Sequence, residues 1–296
     1  MSAANSHLND VAKSQLDWPI EKRVRSIFFE RFIYHEQIND IIKSCKNLMM
    51  LPRTVRPRGL VVSAPSGSGK TALAEALMRE CRAQQATAER PATKPILYFS
   101  MSNAREAKEI FSRLLEALKC PHIRSFTAAD LRKKALDLSR AASLRLLIVD
   151  EIQDVLFNTV RQQGLALVAI KDIMNTLKVP VLALGTGDAR NALSADEHLQ
   201  SRFKPRELPV WRCDEYFRHF LQAYEETLPL RDRSNLGTQL MMKLLIKETE
   251  GQLSEIVERV QRAAGLAIET GIERITQDLI LRARFDFPQL MSDSDE

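Results

Sequence analysis

The chain has 296 residues, of which 45% are hydrophobic and 27% charged, enough to bury the core of one large domain or two modest ones and too apolar for a disordered chain. Its net charge of +5 includes three carboxylates in the tail Ser292-Asp293-Ser294-Asp295-Glu296, so the body ahead of the tail carries +8, a push toward a polyanionic partner. Cys45, Cys81, Cys120 and Cys213 show no C-x-x-C spacing, and no apolar run approaches the length of a membrane-spanning helix. A zinc ribbon, a disulfide scaffold and a membrane protein are therefore not expected, and the polar residues 1–7 lack the apolar core of a secretion signal.

Residues 1–17 are polar and read as a mobile segment. From 18 to 50 the apolar residues Ile27, Phe28, Phe32, Ile33, Ile38, Ile41 and Ile42 recur at helical spacing until Leu51-Pro52 stops the pattern. Arg53, Arg56 and Arg58 follow in a loop, and Gly59-Leu60-Val61-Val62-Ser63 is the first strand. Four more strands are expected at 96–100, 146–150, 179–184 and, more weakly, 207–211, separated by helices at 103–119, 127–142 and 161–177. Continuous apolar runs alternating with helices predict a doubly wound α/β domain around a five-stranded parallel sheet. Beyond about 212 only helices are expected, at 214–227, 235–249, 252–269 and 276–284, which marks a small α-helical domain. The division expected is thus 1–17 mobile, 18–211 nucleotide-binding α/β domain, 212–287 helical domain and 288–296 acidic tail.

The first strand runs into Ala64-Pro65-Ser66-Gly67-Ser68-Gly69-Lys70-Thr71 and then a helix beginning at Ala72. Strand, glycine-rich turn and helix make a phosphate-binding loop. The glycines let successive N–H groups converge on phosphate oxygens, and the helix adds its positive end. Lys70 supplies charge to the β- and γ-phosphates, and the Thr71 hydroxyl can bind Mg²⁺. Ala64 stands where the motif has its first glycine. Leu146-Leu147-Ile148-Val149-Asp150-Glu151 drives two carboxylates to the carboxyl end of a buried strand, where ligands of open α/β sheets bind. Asp150 can hold Mg²⁺ and Glu151 can polarise an attacking water. The strand ending in Gly185-Thr186-Gly187 puts a hydroxyl at the next strand tip. Arg202, in Ser201-Arg202-Phe203, would lie away from its own nucleotide and face a neighbouring subunit's γ-phosphate, with Arg206 as the second candidate.

Together these motifs resemble the AAA+ ATPases, specifically the initiator-like clade, over roughly residues 30–285. The resemblance makes 64–71 the Walker A loop, 146–151 Walker B, Thr186 sensor 1, Arg202 the arginine finger and the helical region a lid. Tyr34, with Ile38, would flank the adenine. Within the clade the chain is similar to the TniB/TnsC-type ATPases of transposons. The signs are its size, Asp150-Glu151-Ile152-Gln153-Asp154, the Gly185-Thr186-Gly187 tip and Glu250-Gly251-Gln252-Leu253-Ser254-Glu255-Ile256. That likeness implies a bacterial cytoplasmic protein that hydrolyses ATP with Mg²⁺, forms a ring or filament on double-stranded DNA, and recruits a transposase and a TniQ-like partner. A helicase loader or insertion-sequence helper would share every Walker feature. Many relatives carry a sensor-2 arginine where this chain has Ser254, so either Arg259 or Arg262 substitutes or hydrolysis is slow. In such assemblies the segments after the second strand face the pore, which points to Arg105, Lys108, Arg124 and Thr127 as DNA contacts, with Arg132, Lys133 and Lys134 nearby.

Overall fold

The computed structural model describes residues 6–88, 91–104, 106–121 and 126–288. These fall into two compact units, one of residues 36–209 and one of residues 6–35 with 210–288.

The first unit is built on a parallel five-stranded sheet in the order β2-β3-β4-β1-β5. Its strands are β1 Gly59–Ser63, β2 Ile96–Ser100, β3 Leu146–Asp150, β4 Val181–Gly185 and β5 Phe203–Glu207. β1, β3 and β4 are buried along their whole length, as their unbroken apolar runs require when both faces are covered. The surrounding helices are α3 Glu36–Met50, α4 Lys70–Glu80, α5 Ala107–Ala117, α6 Ala128–Ala141 and α7 Val160–Leu177. Ile110, Leu114, Leu131, Ala166, Ile170 and Ile173 project from α5, α6 and α7 into one core with Leu97, Leu147 and Val149 of the sheet.

The last strand lies at Phe203–Glu207, not at 207–211. Only Phe203 of its five residues is buried. An edge strand anchored by one aromatic ring carries little of the apolar signal that marks a central strand. The anchor explains Gly59 opposite it, since a β-carbon at that position would lie 2.5 Å from the Phe203 ring. Two short helices after β4, α8 Ala189–Ser194 and α9 Glu197–Gln200, also went unsignalled.

The second unit is all α-helical. It comprises α1 Asp10–Gln15, α2 Ile20–Ile27, α10 Glu215–Glu225, α11 Gln239–Thr249, α12 Leu253–Glu269 and α13 Gln277–Arg282. The helix expected over 18–50 is broken: residues 28–35 are not helical. Arg31 terminates α2 by donating to the carbonyls of Ser26 (2.7 Å) and Ile27, which fills acceptors left free at a helix end. Residues 6–17 are not a loose segment either. Asn9 caps α1 by accepting from the Ala12 amide (2.8 Å), and Leu8, Ala12 and Leu16 are buried. Val24, Ile27, Phe217, Leu221, Ile256 and Val260 form the centre of this unit's core. Within it Arg23, 3% exposed, forms a two-pronged ion pair with Glu273 at 2.6 and 2.9 Å. All four cysteines are free. No described helix is long and apolar enough to cross a membrane.

Candidate nucleotide site

The loop after β1 turns through left-handed backbone at Gly67 (φ 69°) and Gly69 (φ 82°), conformations that glycine adopts without strain. Gly69 caps α4 with no side-chain hydrogen bond, which suits the positive end of that helix to an anion. Ala64 is buried, and its amide donates to the Gly185 carbonyl (3.0 Å), which ties the loop to the tip of β4. Alanine at the first motif position is therefore a packed residue that anchors the start of the loop. Pro65, Ser66 and Gly67 are exposed, Ser68 and Gly69 are half-buried, and Ala72 follows in the first turn of α4. Lys70 is 6% exposed and donates through Nζ to the carbonyls of Ala64 (3.1 Å) and Pro65 (2.9 Å).

The sheet brings the second motif to this loop. Asp150, 2% exposed, ends β3, and its Oδ2 accepts from the Thr71 hydroxyl at 3.4 Å and from the Tyr98 hydroxyl at 2.8 Å. Its Oδ1 accepts from the Glu151 amide (2.8 Å). Burial, followed by the hydrogen bond to Asp150, raises the Tyr98 pKa, so that phenol stays protonated and donates. Glu151 follows in left-handed backbone (φ 51°) at the start of a short 3₁₀ helix, Ile152–Phe157, which turns its carboxylate off the strand axis.

Gln153 is the residue that sequence reasoning missed. Its Nε2 donates to Glu151 Oε2 and to Asp154 Oδ1 (3.2 Å), while its Oε1 accepts from the Thr186 amide (3.1 Å). One amide side chain thus couples the Glu151 carboxylate to the tip of β4. Gly185 accommodates it, because a β-carbon there would collide with Gln153 Oε1. Its signal lies in the run Asp150-Glu151-Ile152-Gln153-Asp154, where it stands among three carboxylates. Tyr98 had its signal in the parallel neighbour of β3. Burial and the nearby Glu151 charge raise the Asp154 pKa.

The residues fit a magnesium nucleotide. The Thr71 hydroxyl and the Asp150 carboxylate are hard oxygen donors 3.4 Å apart, and Mg²⁺ characteristically takes one or two such groups plus water and phosphate oxygens. No group of three His, Cys, Asp or Glu side chains able to hold a metal exists among the described residues, so most of the coordination shell would be supplied by phosphate and water. Beside the loop a cleft of about 530 Å³ is lined by Ser63, Ala64, Pro65, Gly187, Arg190 and Leu208, among others. The Ser63 hydroxyl, on the residue that leads into the loop, is buried without a hydrogen-bond partner.

Other expected site residues lie elsewhere. Arg202 immediately precedes β5, and its carbonyl accepts from the Gly59 amide (3.0 Å) at the amino edge of the sheet. The phosphate loop leaves the carboxyl edge, about 16 Å away along a five-residue strand. Arg202 donates to Asn175 Oδ1 (2.7 Å) and does not join its own loop. Arg206 lies within β5, exposed. Tyr34 belongs to the helical unit and is 52% exposed, with its ring edge-on to Phe32 at 4.9 Å, whereas Ile38 is buried in α3. Lys108 is half-buried in the first turn of α5. The Thr127 hydroxyl caps α6, donating to Asp130 Oδ2 (2.6 Å) and accepting from the Asp130 amide (3.2 Å). Arg132 forms a two-pronged pair with Asp172 (2.6 and 2.7 Å) and Lys134 lies over the Phe126 ring. Arg105 and Arg124 lie outside the described residues. Ser254 lies in the first turn of α12, while Arg259 pairs with Glu248 (3.4 Å) and Arg262 with Glu258 and the Phe287 ring.

A family model described as "Bacterial TniB protein" matches residues 23–213. No curated protein matches the chain. Among solved structures it is similar to the ORC2 protein of Aeropyrum pernix in its ADPNP–ADP complexes, at 18% identity and a TM-score of 0.63 over 88% of this chain and 70% of that one. It is also similar to the ORC1 protein of Aeropyrum pernix in complex with DNA, at 16% identity and a TM-score of 0.64 over 89% and 69% of the two chains. For Cdc6p from Pyrobaculum aerophilum the values are 14% and 0.61 over 87% and 69%. At these identities the likeness is one of fold.

Proposed function

This chain belongs to the bacterial TniB family and is an AAA+ ATPase, and from that premise we propose that it regulates DNA transposition, assembling on duplex DNA in its ATP-bound form and recruiting a transposase to the target site. The observation that carries the reading is the convergence of Lys70, Thr71, Asp150 and Glu151 on one loop, with Gln153 linking Glu151 to the β4 tip.

In this reading Pro65, Ser66, Gly67, Ser68, Gly69, Lys70, Thr71 and Ala72 hold the triphosphate, and Tyr34 faces the adenine. Thr71 and Asp150 hold Mg²⁺, which when bound neutralises phosphate charge. Lys70 leaves the carbonyls of Ala64 and Pro65 for the β- and γ-phosphates. Glu151 accepts a proton from the attacking water, and Gln153 fixes its direction. Thr186 orients the γ-phosphate side of the site. Arg202 acts on the neighbouring copy's nucleotide, so hydrolysis depends on assembly. The helical region 212–287 serves as the lid. Ser254 supplies no sensor-2 charge, and Arg259 and Arg262 are already paired inside that region. Slow hydrolysis follows, which suits a regulator whose ATP-bound assembly is the signal.

Support for DNA comes from the basic body and from the fold's likeness to the ORC1 protein in complex with DNA and to Drosophila ORC bound to DNA. Arg105, Lys108, Arg124 and Thr127 are the proposed backbone contacts, and a TniQ-like targeting protein is the proposed partner in a bacterial cytoplasm. Electron microscopy with ATP and a DNA duplex tests the proposal. Rings or helices encircling DNA are expected with the parent chain and none with Lys70→Ala. Single dispersed copies under the parent conditions would overturn it.

A further inference from the structure

The arginines ahead of β1 have no part in the nucleotide site. Arg53 and Arg58 instead line a cleft of about 280 Å³ at the opposite, amino edge of the sheet. Topology gathers its walls from distant parts of the chain. Arg58 immediately precedes β1, Arg145 precedes β3, and Lys178 lies just ahead of β4. Leu48 and Met49, at the end of α3, supply an apolar floor.

Every ionisable residue lining the cleft is basic. Among the described residues no carboxylate pairs with Arg58, Arg145 or Lys178. Arg53 is held in place by donating to the carbonyls of Leu177 (3.4 Å) and Leu144 (3.3 Å). Four like charges around one apolar concavity repel each other. A ligand that brings carboxylates removes the repulsion, and one that also brings apolar side chains covers the floor. A nucleic-acid backbone brings phosphates that would relieve the repulsion but no apolar side chains to cover the floor.

We propose that this cleft docks the segment 289–296 of a second copy of the chain. That segment reads Gln289-Leu290-Met291-Ser292-Asp293-Ser294-Asp295-Glu296. Two apolar residues for the floor are followed by three carboxylates for Arg58, Arg145 and Lys178. Because cleft and segment are different parts of the chain, the contact between copies is head-to-tail and propagates into a ring or an open helix. The proposal needs neither nucleotide nor DNA, so its fate is separate from that of the function proposed above.

A fluorescein-labelled peptide of residues 287–296, titrated with the full chain without ATP or DNA, reads binding as fluorescence anisotropy. Saturable binding is expected that weakens as ionic strength rises. The double variant Arg145→Glu, Lys178→Glu should lower affinity by about tenfold or more, roughly 1.4 kcal/mol. A peptide with Asn at 293 and 295 and Gln at 296 should lose affinity for the parent chain to a similar degree, and this arm stands even if the double variant does not fold. No binding, or equal binding by the neutral peptide, overturns the proposal. So does a folded double variant that binds the acidic peptide as the parent does. A DNA duplex that displaces the acidic peptide from the parent but loses its own affinity for the double variant would make the cleft a nucleic-acid surface instead.

Discussion

Lys70 rests on two carbonyls of its own loop, so arriving phosphate exchanges neutral acceptors for charged ones, and charge-assisted hydrogen bonds are roughly twice as strong. Lys70→Ala should therefore abolish detectable ATP binding in a calorimetric titration, while the circular dichroism spectrum stays that of the parent. Glu151→Gln keeps the shape and loses the base. It should bind ATP with parental affinity and turn over about 100-fold more slowly or worse, which single-turnover phosphate release would measure. Parental turnover would remove Glu151 from its proposed role. Gln153 is a positioning residue and separates from both. Gln153→Ala should lower kcat with little change in KM, since its contacts are to Glu151, Asp154 and the Thr186 amide. A rise in KM alone would mean that it shapes binding instead. His35 gives a pH handle in the helical unit. Burial lowers its pKa from 6.5 to about 4, and its Nδ1 meets the Tyr216 hydroxyl. The unfolded chain then binds a proton that the folded one refuses, so stability declines as pH falls from about 6.5 toward 4. Between pH 7 and pH 5 the loss from this residue is about 2 kcal/mol. Urea unfolding of the parent should show it, and His35→Phe should show a loss smaller by that amount.

At the scale of elements, the central strands were legible in the sequence because β1, β3 and β4 are buried on both faces and read as continuous apolar runs, with polar side chains only at the carboxyl ends of β1 and β3. β5 was not, because its fit depends on one ring against Gly59, a contact between residues 144 positions apart. The split of the 18–50 helix was hidden for a related reason. Phe28, Phe32 and Ile33 kept the apolar rhythm, but Arg31 satisfies the carbonyls that end α2. Helix α6 was legible, and its capping box shows why: Thr127 and Asp130 exchange hydrogen bonds. Thr127→Ala should cost about 1 kcal/mol of stability, measurable by denaturation without DNA. Gly251 marks the turn between α11 and α12 at φ +74°, where a β-carbon would collide with the Trp211 carbonyl oxygen. The sequence identified the glycine through family likeness, but only the packing gives its reason. Gly251→Ala should destabilise the helical unit by about 2–3 kcal/mol, visible as a lower melting temperature.

For the whole molecule, the nucleotide site was legible because each of its two main motifs, 64–71 and 146–151, is a continuous run of sequence, whereas the cleft at the amino edge draws Arg58, Arg145 and Lys178 from three separate loops. The proposed DNA binding belongs to this scale, since its strength would reflect summed phosphate contacts. If Lys108 is one of them, Lys108→Ala should weaken binding to all duplex sequences alike and reduce the salt slope by about one; an unchanged slope removes it from the surface. The sheet itself sets a limit on assembly. β5 pairs with β1 on one side, and its residues Lys204, Pro205, Arg206 and Glu207 are exposed. A proline offers no N–H, and three charged side chains discourage an incoming strand. Along this border copies cannot fuse by extending the sheet, a route whose product resists dismantling. Association through side chains instead can come apart and be rebuilt, so the assembly proposed above would keep a way to stop.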